Sequence, residues 1–146
     1  MKKAITLLFM SSLAGPVLAD ECALVIEGND AMQFNVQAMS VPATCKEVTV
    51  TLNHTGKLPV NVMGHNWVLA NTADYQTVAT AGMSAGAENG YLPKDDPRVL
   101  AHTQMLGGGQ SSSVTFKTDG LAGKDLTFFC SFPGHVAIMK GTFKVG

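Results

Sequence analysis

Past its first nineteen residues, this chain has no apolar stretch of the roughly 20 residues needed to cross a bilayer, and it has no surplus of basic residues. The first absence argues against a membrane-spanning mature protein. The second argues against nucleic acid or an anionic membrane surface as the main partner. Internal repeats, linkers and low-complexity tracts are missing as well, so 146 residues leave room for one domain. Cysteine and histidine are scarce, with three and four copies. Any metal or nucleophile chemistry must therefore be built from a very short inventory.

The exception at the front has its own logic. Lys2 and Lys3 form a positive start, Ala4 to Leu13 is mostly apolar, Gly15 and Pro16 break the run, and Val17 and Ala19 supply small residues at the end. This is the pattern of a secretory signal peptide cleaved after Ala19. A mature domain over residues 20–146 is expected, soluble and exported to the periplasm. Removing Lys2 and Lys3 leaves eight basic residues against eleven acidic ones, a formal charge of −3. Cys22 and Cys45 flank a plausible strand pair near the new N-terminus, and an oxidising compartment favours their pairing. By the chain-entropy model such a bridge contributes about 3 kcal/mol. Cys130 is then the unpaired third.

Most of the mature chain has the period of short strands. Over Lys46 to Asn53, Val48, Val50 and Leu52 alternate with polar residues; Val114 and Phe116 repeat this in Ser112 to Lys117, and Phe143 and Val145 in Thr142 to Val145. Leu126 to Phe132 is rich in aromatics, and fifteen glycines suit a fold with many turns. Together these predict an all-β protein, an antiparallel sandwich or barrel. One segment differs: Asn71 to Gly86, with Asn71 or Thr72 as a cap and Asp74 in the first turn, predicts a short inserted helix. Glu88 to Arg98, with Gly90, Pro93 and Pro97, is expected to be a surface connection.

The richest segment runs from Cys130 to Met139. A thiol, an imidazole and a thioether sit there at the spacing C-x4-H-x3-M, on one short loop between strand-like runs. That set suits copper rather than calcium, magnesium or manganese, and one more imidazole would complete a His2Cys site with a weak axial Met, the ligand set of blue-copper electron-transfer centres. Each residue alone has a plainer explanation: an inert buried cysteine, a loop histidine, a methionine filling the core. Jointly they are specific. Pro133 and Gly134 stiffen and shape the turn before His135. The missing imidazole comes from His54, His65 or His102, and His65 is the best candidate: Gly64 before it lacks a side chain, so its carbonyl can approach a metal closely. Asn66 beside it can tie two loops together.

Met63-Gly64-His65-Asn66-Trp67 taken with Cys130 to Gly141 resembles the cupredoxin, or blue copper, family, and the likeness extends over the whole mature region, Cys22, Cys45 and the inserted helix included. The resemblance implies a Greek-key β-sandwich holding one type 1 copper ion that cycles between Cu(I) and Cu(II). His65, Cys130 and His135 would be the strong ligands, Met139 a long axial ligand and the Gly64 carbonyl a weak one opposite. Asn66 and the backbone N–H of Phe132 would donate to the Cys130 sulfur, tuning the potential. Trp67 would be a core aromatic. The exposed edge of His135 would lie in an apolar docking patch drawn from Met32, Leu58, Met63, Met83, Phe132, Pro133 and Ile138. A monomer exchanging electrons with redox proteins, such as c-type cytochromes or reductases, follows from the same likeness.

Other functions fit less well. A copper enzyme of the nitrite reductase kind needs a second copper with several imidazoles, and only His54 and His102 are spare. Copper storage or delivery favours exchangeable ligands rather than a stiff loop. A Cys–His nucleophile leaves Met139 without a purpose. His54 matches a partly buried family position where titration couples to the copper, or is a satisfied structural histidine; His102 is expected at the surface. Neutral Gln104 and Gln110 around Gly107–Gly109 argue against charge-steered docking at that loop.

Overall fold

The computed structural model describes residues 20–146; the expected signal peptide lies outside the described residues. Among the described residues nine strands form two sheets: β1 (Ala23–Asn29), β2 (Gln33–Phe34), β4 (Glu47–His54) and β7 (Ser111–Lys117) in the order β2-β1-β4-β7, and β3 (Ala38–Val41), β5 (Val68–Asn71), β6 (Ala101–His102), β8 (Leu126–Phe129) and β9 (Lys140–Val145) in the order β3-β9-β8-β5-β6. The sandwich is as expected, with one difference in the sheets. β1 pairs with β4 in parallel, and so does β3 with β9, so both sheets are mixed. Period-2 alternation reports which face a residue takes and carries no information on the direction of its neighbour.

The inward row of β4 shows how the sequence builds the core. Val48, Val50 and Leu52 are fully buried, and the same row ends in His54, 2% exposed, at the tip of the strand. Facing them across the sandwich are Leu69, Phe128 and Phe143, with Trp67 at the centre. Trp67 stacks on Phe116 and Phe128 at centroid distances of 5.9 and 6.2 Å and meets Phe143 edge-on at 5.9 Å. It is a core aromatic, as expected, and its indole N–H has no partner.

The outer face of the second sheet is covered. Helix α2 (Tyr75–Ala85) presses Val78 and Ala79 onto Val68, Ala70 and Phe129, which is why β5 and β8 are buried along successive residues rather than alternately. The helix starts later than the sequence suggested: Asn71 and Asp74 bond to each other in the turn before it, the Asp74 N–H donating to the Asn71 carbonyl and the Asn71 amide to the Asp74 carboxylate. The connection after it is not wholly superficial, since Leu92 is buried against α2. An ion pair between Arg98 and Asp96, 2.6 Å, pins its far end. A short helix, α1 (Val60–Met63), precedes His65. At the opposite end of the sandwich, Cys22 and Cys45 form the expected disulfide, with Cα atoms 5.6 Å apart.

Candidate metal centre

Cys130 and Met139 are the two ends of the hairpin loop joining β8 to β9. Phe129 pairs with Lys140, and the Cys130 N–H then donates to the Met139 carbonyl at 3.0 Å. Inside, the Met139 N–H returns to the His135 carbonyl at 2.7 Å and the His135 N–H to the Phe132 carbonyl at 3.0 Å. Gly134, at φ +85°, makes the left-handed turn that starts the 3-10 turn His135–Ala137, a conformation costly for a residue with a Cβ. The chain thus brings His135 back to Cys130 without help from a ligand.

The third donor arrives from the other side. His65 is held by a two-bond bridge to Leu106, His65 N–H to Leu106 carbonyl at 3.0 Å and the return bond at 2.7 Å. Its Nε2 lies 2.8 Å from the Asn29 carbonyl. A carbonyl only accepts, so Nε2 carries the proton and Nδ1 is left as a lone-pair donor, the usual device for orienting a metal-binding imidazole. Nδ1 of His65 is 3.9 Å from the Cys130 sulfur, and Nδ1 of His135 is 3.6 Å from it. The three ligand atoms lie within 4.8 Å of one another, and all three residues are buried. The Gly64 carbonyl stands 3.7 Å from the same sulfur. Met139 is fully buried in the loop that ends the site.

The electrostatics favour a metal. Burial pushes the Cys130 thiol up to about 12, although the backbone N–H groups of Asn66 and Phe132 face its sulfur and pull the other way. Burial pushes His135 down to about 4, helped by the neighbouring His65 and His54 rings. His65 is lowered by burial too, against the opposing pull of the Asn29 carbonyl. So without a metal the cage holds neutral imidazoles and a protonated thiol. A cation supplies the charge that turns the thiol into a thiolate. The donor set therefore fits a soft-to-borderline ion such as copper.

Asn66 ties the two halves together, by a route the sequence suggested only in outline. Its side-chain oxygen accepts from the Ser131 N–H at 2.8 Å and its amide donates to the Ser131 hydroxyl at 2.8 Å. It is the Asn66 backbone N–H, not its side chain, that addresses the cysteine. His54 is buried and stacked on His65, ring centroids 4.3 Å apart. Its Nε2 meets the Met63 carbonyl at 2.7 Å and its Nδ1 accepts from the Gly56 N–H at 3.1 Å, which leaves neither nitrogen free to bind metal. His102 is exposed on β6, as expected.

The patch residues divide among three places. Met32 and Ile138 share a cleft of about 370 Å³ with Gln37 and Lys140, while Met83, Phe132 and Pro133 line a small cavity of about 40 Å³ beside the ligand loop. Leu58 and Met63 belong to the segment around α1. His135 departs from expectation: it is 1% exposed, with the tilted Phe132 ring packed against it, centroids 4.6 Å apart. Sequence reasoning missed Val60 and Val62, exposed on α1 at 42% and 52%. Their Val-x-Val-Met spacing has the look of a strand, and four residues are too few to show a helical period.

A β-sandwich that gathers two imidazoles and a buried thiol at one end is, by fold and site, a copper-binding protein. The model of "copper binding proteins, plastocyanin/azurin family" matches residues 20–146. The chain belongs to that family: its cofactor is copper, and it is an electron-transfer protein rather than an enzyme. It is similar to azurin of Bordetella pertussis, 59% identical over 137 residues that cover 93% of this chain and 91% of that one. Azurin of Pseudomonas aeruginosa is 51% identical over 143 residues, 97% of each chain. Azurin of Achromobacter denitrificans is 50% identical over 146 residues, 99% of this chain and 98% of the other.

Proposed function

We propose that the protein is a periplasmic one-electron shuttle in which His65, Cys130 and His135 would hold copper with help from the Met139 thioether and the Gly64 carbonyl, and that redox partners dock over the face around Phe132, Pro133 and Ile138. The convergence of His65 Nδ1, Cys130 Sγ and His135 Nδ1 in a closed cage carries this reading. Bound copper supplies the one-electron couple between Cu(I) and Cu(II). The protein's part is to hold the donors where either charge state is served, so that little has to move when an electron arrives. Hydrogen bonds from Cys130 to Met139, His135 to Phe132 and His65 to Leu106 and Asn29 supply that stiffness.

Entry of the electron is set by what covers His135. The Phe132 ring packs at a tilt against the imidazole, and Pro133 and Ile138, the latter 58% exposed, stand on either side of His135 in the same loop. Val60 and Val62 extend the apolar face on the α1 side, next to Leu58 and Met63. An apolar surface of this kind suits brief encounters with small interfaces, the regime of redox complexes. Cytochromes of the c type and reductases are the partner classes proposed, met by a monomer. Export is supported by the pattern of the first nineteen residues and by the disulfide, which an oxidising compartment favours.

The test is copper titration of the 20–146 protein. Uptake of one Cu(II) per chain with an intense blue thiolate-to-copper band is expected; a second bound copper, or no visible band, sinks the reading. The docking face has its own test. Met63→Lys should slow electron exchange with a partner while leaving the spectrum unchanged, and an unaltered rate removes Met63 from that face.

A further inference from the structure

Gly64 is walled in. A side chain there would come within 2.5 Å of the Val60 carbonyl, 2.8 Å of Phe132 Cδ2 and 3.0 Å of the Met105 sulfur. Two of those neighbours, a ring and a thioether, therefore lie against the α-carbon of the residue whose carbonyl stands 3.7 Å from the Cys130 sulfur. Met105 has a second neighbourhood on its other side. It lines a cleft of about 270 Å³ together with Asn66, Gly90 and Thr103. The rim of that cleft is exposed: Ala87, Asn89, His102 and Gln104. Asn66, at its floor, is the residue whose backbone N–H faces the sulfur. One flexible, half-buried side chain thus stands between an open cleft and the Gly64 side of the cage.

We propose that Met105 is the lid of the metal centre: its bulk, laid over Gly64 beside Phe132, keeps solvent in the Asn66 cleft away from the Gly64 carbonyl and so holds the copper potential up. This rests on the proposed role of the Gly64 carbonyl as a group that would help hold the copper. The physical reason is general. Water near a redox centre raises the local dielectric and favours the more highly charged, oxidised state, so excluding it favours Cu(I). Methionine suits the task because an unbranched, polarisable chain fills an irregular gap without needing its own exact slot. Met105 acts here through Gly64 and is a positioning residue. It comes from the segment next to Leu106, whose bridge to His65 fixes the distance between lid and cage.

The experiment compares the copper-loaded protein with Met105→Ala and Met105→Leu. Three quantities are read: the Cu(II)/Cu(I) midpoint potential, the water-proton relaxation enhancement of the Cu(II) form, and the rate of copper loss to a chelator. Met105→Ala should lower the potential, raise the relaxation enhancement and release copper about tenfold faster, the scale on which residues supporting metal ligands act. Met105→Leu, which restores bulk without sulfur, should return all three to the parent values. If potential or relaxation in Met105→Ala stays at the parent value, the lid is wrong. If Met105→Leu behaves as Met105→Ala does, the sulfur rather than the bulk matters and the proposal falls as well. A parent protein without a blue band would instead overturn the proposed function, leaving the two failures distinguishable. A melting curve on each variant separates loss of fold from loss of the lid.

Discussion

The two ends of this sandwich are each fastened, by opposite means. At one end a covalent bridge joins Cys22, just before β1, to Cys45, just before β4. At the other the chain keeps its third thiol unpaired and ties the loops with an amide, Asn66 to Ser131, two hydrogen bonds of 2.8 Å. A disulfide is the stronger clamp, but it consumes the sulfurs that make it. The metal end needs its sulfur as a ligand, so there the stiffness comes from hydrogen bonds around it. The same residue type serves as a staple in one place and as a coordinating atom in the other, and the difference lies in what stands next to it: a second thiol, or two imidazole nitrogens at 3.6 and 3.9 Å.

The hardest blow to that contrast is Cys130→Ser. It should abolish the blue band completely, because the band is a transfer of charge from this sulfur, while the metal-free fold persists with its disulfide intact. An absorption spectrum of the copper-treated variant decides it; surviving blue colour would mean that Cys130 is not the thiolate ligand.

Acid should act on the metal end next. The ordinary imidazole value is 6.5, and burial holds His135 near 4. Between these values the unfolded chain takes up a proton that the folded chain refuses. Metal-free stability is therefore complete above about pH 6.5 and falls as pH drops toward 4, by about 3 kcal/mol for His135. His65, shifted in the same direction, adds to the loss. Copper loading should flatten the decline, since it ties up the nitrogens that would protonate. Denaturant unfolding at a series of pH values, with and without copper, measures both curves. A metal-free stability that is level from pH 7 to 4 would contradict the burial of these rings.

The disulfide end predicts the reverse pattern. Replacing Cys22 and Cys45 together by Ala should lower unfolding free energy by about 3 kcal/mol at any of these pH values, yet leave the blue spectrum and potential as they were. A shifted spectrum would show that the two ends are mechanically coupled.

How much of this was written in the sequence differs between the same two ends. The ligand loop could be read because all its chemistry is local: Cys130, His135 and Met139 occupy ten consecutive residues, and the hairpin that joins them needs no distant partner. His65 could be picked from three histidines because Gly64 and Asn66 flank it. What escaped depends on contacts between remote segments. The parallel pairings of β1 with β4 and β3 with β9 leave the alternation of buried and exposed residues unchanged, so nothing in a single strand announces them. His54 continues the inward row of β4, which foretells burial but not the stack on His65. The covering of His135 depends on the tilt of one ring, Phe132, and the position of Met105 over Gly64 on the His65–Leu106 bridge, two features with no local signature.

The smallest expected effect probes the hydrogen-bonded clamp itself. Ser131 is 2% exposed; Asn66 accepts from its N–H and donates to its hydroxyl oxygen, while the hydroxyl itself donates to the Gly90 carbonyl. Asn66→Ala leaves the buried Ser131 N–H without an acceptor, which costs about 1–3 kcal/mol. Asn66→Asp keeps the acceptor for that N–H but loses the donor to the hydroxyl and places a charge near the thiolate. The two variants should therefore separate clamp from tuning. The alanine variant should lower stability of the metal-free protein and release copper faster, with a modest change in potential. The aspartate variant should retain more of the hydrogen-bonded tie and lower the potential, because a nearby negative charge favours Cu(II). Chemical denaturation and voltammetry on both variants measure the two effects. If both variants keep the parent potential and stability, then the Asn66 side chain neither holds the loops nor influences the sulfur, and the metal end owes its stiffness to the Cys130–Met139 and His65–Leu106 bonds.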